Sequence, residues 1–157
     1  MRLSENLSLY EMIKSDTAIR NGINNYPTDG HLGNMIIWAE NIFQPIRDYF
    51  GEPIFISSGY RSRELNSLIN GSLRSQHCLG QAGDIDQDNR ASGVTNRDVF
   101  DFILDHLDFD QLILEYPDED MNPAWVHVSY VSEDDNRNQT LVAVKEGKTT
   151  KYYEYDV

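Results

Sequence analysis

Between Ser75 and Asp84 the chain reads Ser-Gln-His-Cys-Leu-Gly-Gln-Ala-Gly-Asp, and no other stretch restricts the fold as much. His77 and Asp84 stand seven residues apart, with Gly80 and Gly83 between them. Glycine adopts backbone angles closed to other residues, so both permit tight turns that fold the imidazole and the carboxylate back toward each other. A second imidazole, His127, lies downstream in Trp-Val-His-Val-Ser-Tyr. Strand alternation there puts Trp125, His127 and Ser129 on one side and Val126, Val128 and Tyr130 on the other. Two imidazoles and one carboxylate bind zinc through three protein groups. The fourth tetrahedral position is left for water, as in a catalytic rather than a structural zinc site.

The rest of the chain predicts an α+β fold. Ser8, Ser15 and Asp16 suit the caps of short N-terminal helices. Leu32, Met35, Ile36, Ala39, Ile42, Phe43, Ile46 and Phe50 recur at helical spacing, and Pro45 should kink or split that helix. Pro53 to Ser57 reads as a short buried strand, Ser62 to Ile69 as a helix stopped by Asn70-Gly71, and Ser72 to Gly83 as a loop entering a strand near Asp84 to Asp86. A capping box, Thr95-Asn96-Arg97-Asp98, opens a helix with Val99, Phe102, Ile103, His106 and Leu107 on one face. Gln111 to Tyr116 and Trp125 to Val131 read as strands around an acidic loop, Pro117 to Pro123. Thr140 to Val144 and Lys151 to Tyr155 read as a hairpin turning near Gly147. Helices come first and strands dominate late, which favours α+β over a regular parallel α/β sheet.

Zinc chemistry on an amide needs a base for the attacking water. Glu115 ends an otherwise apolar strand, Gln111-Leu112-Ile113-Leu114, and a carboxylate in that setting requires a partner or a task. Asp118, Glu119 and Asp120 are rival bases, but their run suits a solvated loop. Arg61 follows a strand and a glycine turn, a place from which a guanidinium can face a developing oxyanion; a surface pair with Glu64 is the plainer alternative. Ser75, two residues before His77, can hold a metal ligand or a substrate carboxylate by hydrogen bond; an ordinary loop serine is the plainer alternative. Trp125 and Ser129 share the His127 face and are expected to line a cleft. Cys78 reads as a small buried side chain, and His31 and His106 as surface or helix-face residues.

A length of 157 residues with 39% hydrophobic content suits one domain spanning residues 1–157 with a real core. The net charge of −13 argues against a nucleic-acid partner and gives no attraction to anionic lipid. A single cysteine excludes an intrachain disulfide. No apolar run approaches bilayer length, so membrane insertion is not expected. The N-terminus shows no hydrophobic signal core, which leads us to expect synthesis and folding in a cytoplasm.

These residues resemble the zinc peptidase family that holds the D-Ala-D-Ala carboxypeptidases and the L-alanyl-D-glutamate endopeptidases. Its pattern, Ser-x-His-x-x-Gly-x-Ala-x-Asp, is matched by Ser75, His77, Gly80, Ala82 and Asp84. The Ser-Gly-Tyr-Arg-Ser and Trp-Val-His-Val-Ser blocks resemble the same family, and the N-terminal segment resembles its phage and prophage branch. The resemblance implies a Hedgehog/DD-peptidase fold: a small, largely antiparallel sheet with N-terminal helices packed on it. It implies Zn2+ as cofactor on His77, Asp84 and His127, with Arg61 at the substrate or oxyanion. It implies the peptidoglycan stem peptide as substrate, cut by an endolysin or a virion-associated enzyme that reaches the wall after release or within a particle. Many members carry their catalytic acid three residues before the last histidine, where this chain has Ala124. The branch reading Gln-Leu-Ile-x-Glu fits better and places that acid at Glu115. The alternative is a catalytically weak or inactive virion module of the same fold.

Overall fold

The structure, a computed structural model, describes residues 1–156. A small antiparallel pair, β1 (Arg2–Ser4) and β2 (Leu7–Ser8), opens the chain. α1 (Leu9–Ile13) follows; Ser8 and Glu11 close a reciprocal capping box at its start. α2 (Asp16–Arg20) is capped by Ser15. The expected capping serines are therefore used, and Asp16 stands in the first turn of α2 rather than at its cap.

The long amphipathic segment becomes α3 (Asp29–Trp38), a π-helical turn (Ala39–Phe43) and α4 (Gln44–Phe50). Proline has no N–H to give to the helical ladder. The chain meets Pro45 by widening the turn before it, where the Gln44 N–H reaches back to the Ala39 carbonyl. The helix is thus adjusted at Pro45 rather than ended there. Gly51 closes α4 at a φ of +68°.

β3 (Ile56–Ser58) is shorter than the expected strand. Pro53 lacks a donor, and the Phe55 N–H is taken by the Gln87 side chain instead of a ladder partner. α5 (Arg63–Leu68) is capped by Ser62 and leads to a 3-10 turn (Gln76–Leu79). β4 (Ala82–Ile85) begins two residues earlier than expected. α6 (Asn96–His106) has the predicted Thr95–Asp98 capping box. β5 (Gln111–Glu115), β6 (Trp125–Ser129), β7 (Gln139–Glu146) and β8 (Thr149–Glu154) complete the chain, with Gly147 in the β7–β8 turn.

Six strands form one sheet in the order β3-β4-β6-β5-β7-β8. Every pairing is antiparallel except β5 with β7. Neighbours in register share a face. Ile85, Val126, Leu114 and Val142 make one row across β4, β6, β5 and β7, and Gly83, Val128 and Leu112 lie beside them. This apolar face packs on Met35, Trp38, Ile42, Phe43 and Ile46 from the long helical segment and on Phe100 and Ile103 from α6. The other face carries Asp84, His127, Ile113 and Leu141 in one row and Trp125, Glu115, Ala143 and Tyr152 in the next. The α+β architecture is the one expected, a mostly antiparallel sheet with helices covering one face.

Gly83 has a different task from the turn assigned to it above. It lies inside β4 on the apolar face, and the Trp38 indole rests directly on it. A β-carbon there would stand 2.5 Å from the nearest ring atom. The same indole donates its N–H to the Val128 carbonyl at 3.1 Å, so one tryptophan spans β4 and β6. Gly80 does form a turn, at a φ of +74°. Gly83→Ala must displace a fully buried ring, and overpacking of this kind costs about 1–3 kcal/mol. Urea unfolding should show that loss; an unchanged midpoint would mean that the ring has room to move.

Candidate metal centre

His77 sits on the 3-10 turn before β4 and is 3% exposed. Its Nδ1 is 2.7 Å from the Gly59 carbonyl oxygen. A carbonyl only accepts, so Nδ1 carries the proton and Nε2 keeps its lone pair. The turn that offers this carbonyl is fixed in turn by α1: Tyr60 N–H donates to the Met12 carbonyl at 2.7 Å, and a β-carbon on Gly59 would fall 2.3 Å from the same oxygen. Arg61 N–H then donates to the His77 carbonyl at 3.1 Å. The Ser-Gly-Tyr-Arg segment therefore orients the first histidine through backbone contacts.

Asp84 and His127 are paired in register across β4 and β6. The Asp84 Oδ1 stands 3.0 Å from His127 Nδ1 and 3.4 Å from His77 Nε2. One donor atom from each of the three residues lies within 4.8 Å of the other two. Donors sharing a tetrahedral zinc at bonds of about 2.1 Å stand roughly 3.4 Å apart. The donor set and its spacing therefore fit zinc. Burial works against ionising Asp84, but in the metal-free protein the charge of His77 and hydrogen bonds from His127 and His77, present when those rings take up their second proton, outweigh it and hold the carboxyl well below the usual carboxylate range. Asp84 is thus an anion, as a ligand must be.

The three candidate ligands sit in a cleft of about 660 Å³ on the polar sheet face. Glu115 lines it and is 7% exposed. It is a diagonal neighbour of His127 on the same face, because Glu115 pairs with Trp125 and Ile113 with His127. Burial pushes its carboxyl up to about 7; the His127 charge pulls down and the Asp84 charge pushes up. The rivals Asp118, Glu119 and Asp120 are exposed, and Asp118 spends an oxygen on the N–H groups of Asp120 and Asn122.

Arg61 lines the cleft and donates from Nη2 to Ser75 Oγ at 3.2 Å. Its Nε is buried without a partner, and among the described residues no ion pair joins it to Glu64. Ser75 therefore holds Arg61. Trp125 lines the cleft beside Tyr116, with ring centroids 5.3 Å apart. Ser129 does not line it. Ser129 lies on the right face but is fully buried, and its hydroxyl accepts the Gln111 N–H at 3.0 Å, a structural bond between β6 and β5. Cys78 is buried, His31 bonds the Tyr60 hydroxyl, and His106 is exposed near Tyr49 and Phe102.

Several cleft residues escape a reading of the sequence. Gln111 and Gln139 bond each other at 2.8 Å along the floor, and Tyr152 stands on the far wall. Gln76, beside His77, donates to the buried Asp110, which Arg137 clamps through two nitrogens at 3.0 and 2.7 Å. That clamp ties the His77 turn to the start of β7. Alternation along β5 points to Gln111, since it shares the parity of Glu115. Nothing local points to Gln139, Arg137 or Tyr152, because their places depend on the pairing of β7 with β5.

The chain matches the family model described as Peptidase M15 over residues 5–129, a span that includes His77, Asp84, His127, Arg61 and Glu115. No curated protein matches it.

The raised Glu115 value has a measurable consequence for the metal-free protein. Its folded value of about 7 lies above the ordinary 4.5, so folding favours the protonated form. That contribution is complete below pH 4.5 and disappears as pH rises through 7. Glu115→Gln cannot ionise. At pH 8 it should be more stable than the parent by up to about 3 kcal/mol, with the difference vanishing near pH 4. Parallel denaturation curves across that range would rule out the buried, unpaired carboxylate.

Proposed function

The chain belongs to the Peptidase M15 family, and on that premise we propose that it is a zinc-dependent peptidase that hydrolyses an amide bond in the peptidoglycan stem peptide. The observation that carries this reading is the meeting of His77, Asp84 and His127 beside a buried, unpaired Glu115 on one sheet face. His77 through Nε2, Asp84 through Oδ1 and His127 through Nδ1 would hold the ion. When bound, zinc supplies Lewis-acid polarisation of the amide carbonyl and lowers the pKa of water toward about 7. Glu115, itself near 7, takes a proton from the attacking water and returns it to the leaving amine. Arg61, steadied by Ser75, presents its guanidinium to the negative charge that develops on the carbonyl oxygen. Trp125 gives one side of the bound peptide an apolar wall.

The biological setting we assign is phage or prophage, as an endolysin or a virion-associated enzyme that opens the wall. Among the described residues no helix is long and apolar enough to cross a membrane. The net charge of −13 gives no attraction to an anionic wall polymer.

Digestion of purified peptidoglycan followed by mass spectrometry of the fragments tests the reading and identifies the bond. New amino termini should appear, vanish with chelator and return with zinc. His127→Ala should lose both tight zinc binding and turnover. Glu115→Gln should keep zinc and lose at least about a hundredfold in kcat, the lower range for a general acid–base group. A zinc-loaded protein inert on every wall type would instead favour a binding module, and an active Glu115→Gln would move the base elsewhere.

A further inference from the structure

The family match stops at Ser129, yet the cleft does not. The parallel pairing of β7 onto β5 carries the β7–β8 hairpin along the cleft, on the side away from β4. Trp125, Glu115, Ala143 and Tyr152 stand in one row across β6, β5, β7 and β8. Residues paired in register share a face, so Tyr152 projects to the same side of the sheet as Glu115 and His127. Two strand spacings, roughly 10 Å, separate the Glu115 and Tyr152 backbones. Between them lies Ala143, whose single methyl leaves space for a ring to lean inward.

Tyr152 lines the same cleft as His77, Asp84, His127 and Glu115. Burial first, then the charges of Glu115, Tyr116 and Asp84, raise the phenol pKa. Tyr116 bonds its hydroxyl to Thr150, whereas no side-chain hydrogen bond contributes at Tyr152. The Tyr152 residue remains 56% exposed. An aromatic donor left open on the wall of a reaction cleft is available to whatever fills it.

The geometry points to Tyr152 as a substrate-contacting residue: its hydroxyl donates to the bound peptide on the Glu115 side of the scissile amide, and its ring covers the chain there. This contact rests on the peptidase reading above and deepens it. Arg61 and Tyr152 then grip the substrate from opposite walls, one from the segment after β3 and one from β8.

The test uses the zinc-loaded Glu115→Gln protein, which should bind without turning over, titrated by calorimetry with a soluble stem-peptide fragment. Adding Tyr152→Phe should weaken binding roughly fivefold to tenfold, the worth of one hydrogen bond, and Tyr152→Ala should weaken it further by removing the ring. Zinc content and melting temperature should not move, because the residue is exposed on the outer strand. With Glu115 intact, Tyr152→Phe should raise KM by the same factor and leave kcat within about twofold. Fragment binding as tight in both Tyr152 variants as in the parent overturns the contact and leaves the peptidase reading standing. A parent that neither cuts nor binds any stem peptide overturns the peptidase reading and this contact with it.

Discussion

Asp84 faces His127 because β4 and β6 pair in one register and no other. Side chains on a strand alternate, so a slip of one residue would turn one ligand toward the helices and leave the other facing the cleft. Trp38 guards against that slip. Its ring fits only where a residue without a side chain lies beneath it, and its N–H reaches Val128, which pairs with Gly83. An apolar side chain on the far face of the sheet thus sets the position of two candidate metal ligands it never touches. The core and the site are two readings of a single strand alignment.

The remaining candidate ligand is placed by other means. His77 lies on a short turn outside the sheet and is fixed by contacts at three levels: the Gly59 carbonyl on its ring, the Arg61 N–H on its backbone, and the Gln76–Asp110–Arg137 chain at the start of its turn. The first two come from one segment after β3, the third from residues before β5 and β7. Such support is what a reactive centre needs, since a ligand free to rotate would exchange metal binding for side-chain entropy.

Much of this can be read in the amino acids, and the reason differs by residue. His77, Asp84 and His127 were legible because a metal needs particular donor types and because glycine punctuation and strand alternation are local signals. Glu115 was legible as a charge ending an apolar strand. Ser129 was misjudged: alternation gives the face but not the depth, and only the β5 neighbour decides whether a hydroxyl meets water or a backbone amide. Gly83 was read as a turn because its partner, Trp38, lies 45 residues away in sequence. The hairpin itself was anticipated, but its parallel seat against β5, and with it the roles of Gln139 and Tyr152, depends on distant pairing that no local pattern encodes.

The segments that surround the centre are scattered from Gly59 to Tyr152. No contiguous third of the chain holds a working set. Parallel pairing of β7 also obliges a long-range closure late in the sequence, which is slow compared with the formation of a local hairpin. The cleft is therefore complete only once the β7–β8 hairpin has docked. A nick in a connecting loop that let the hairpin drift would open one wall of the cleft while His77, Asp84 and His127 stayed chemically intact.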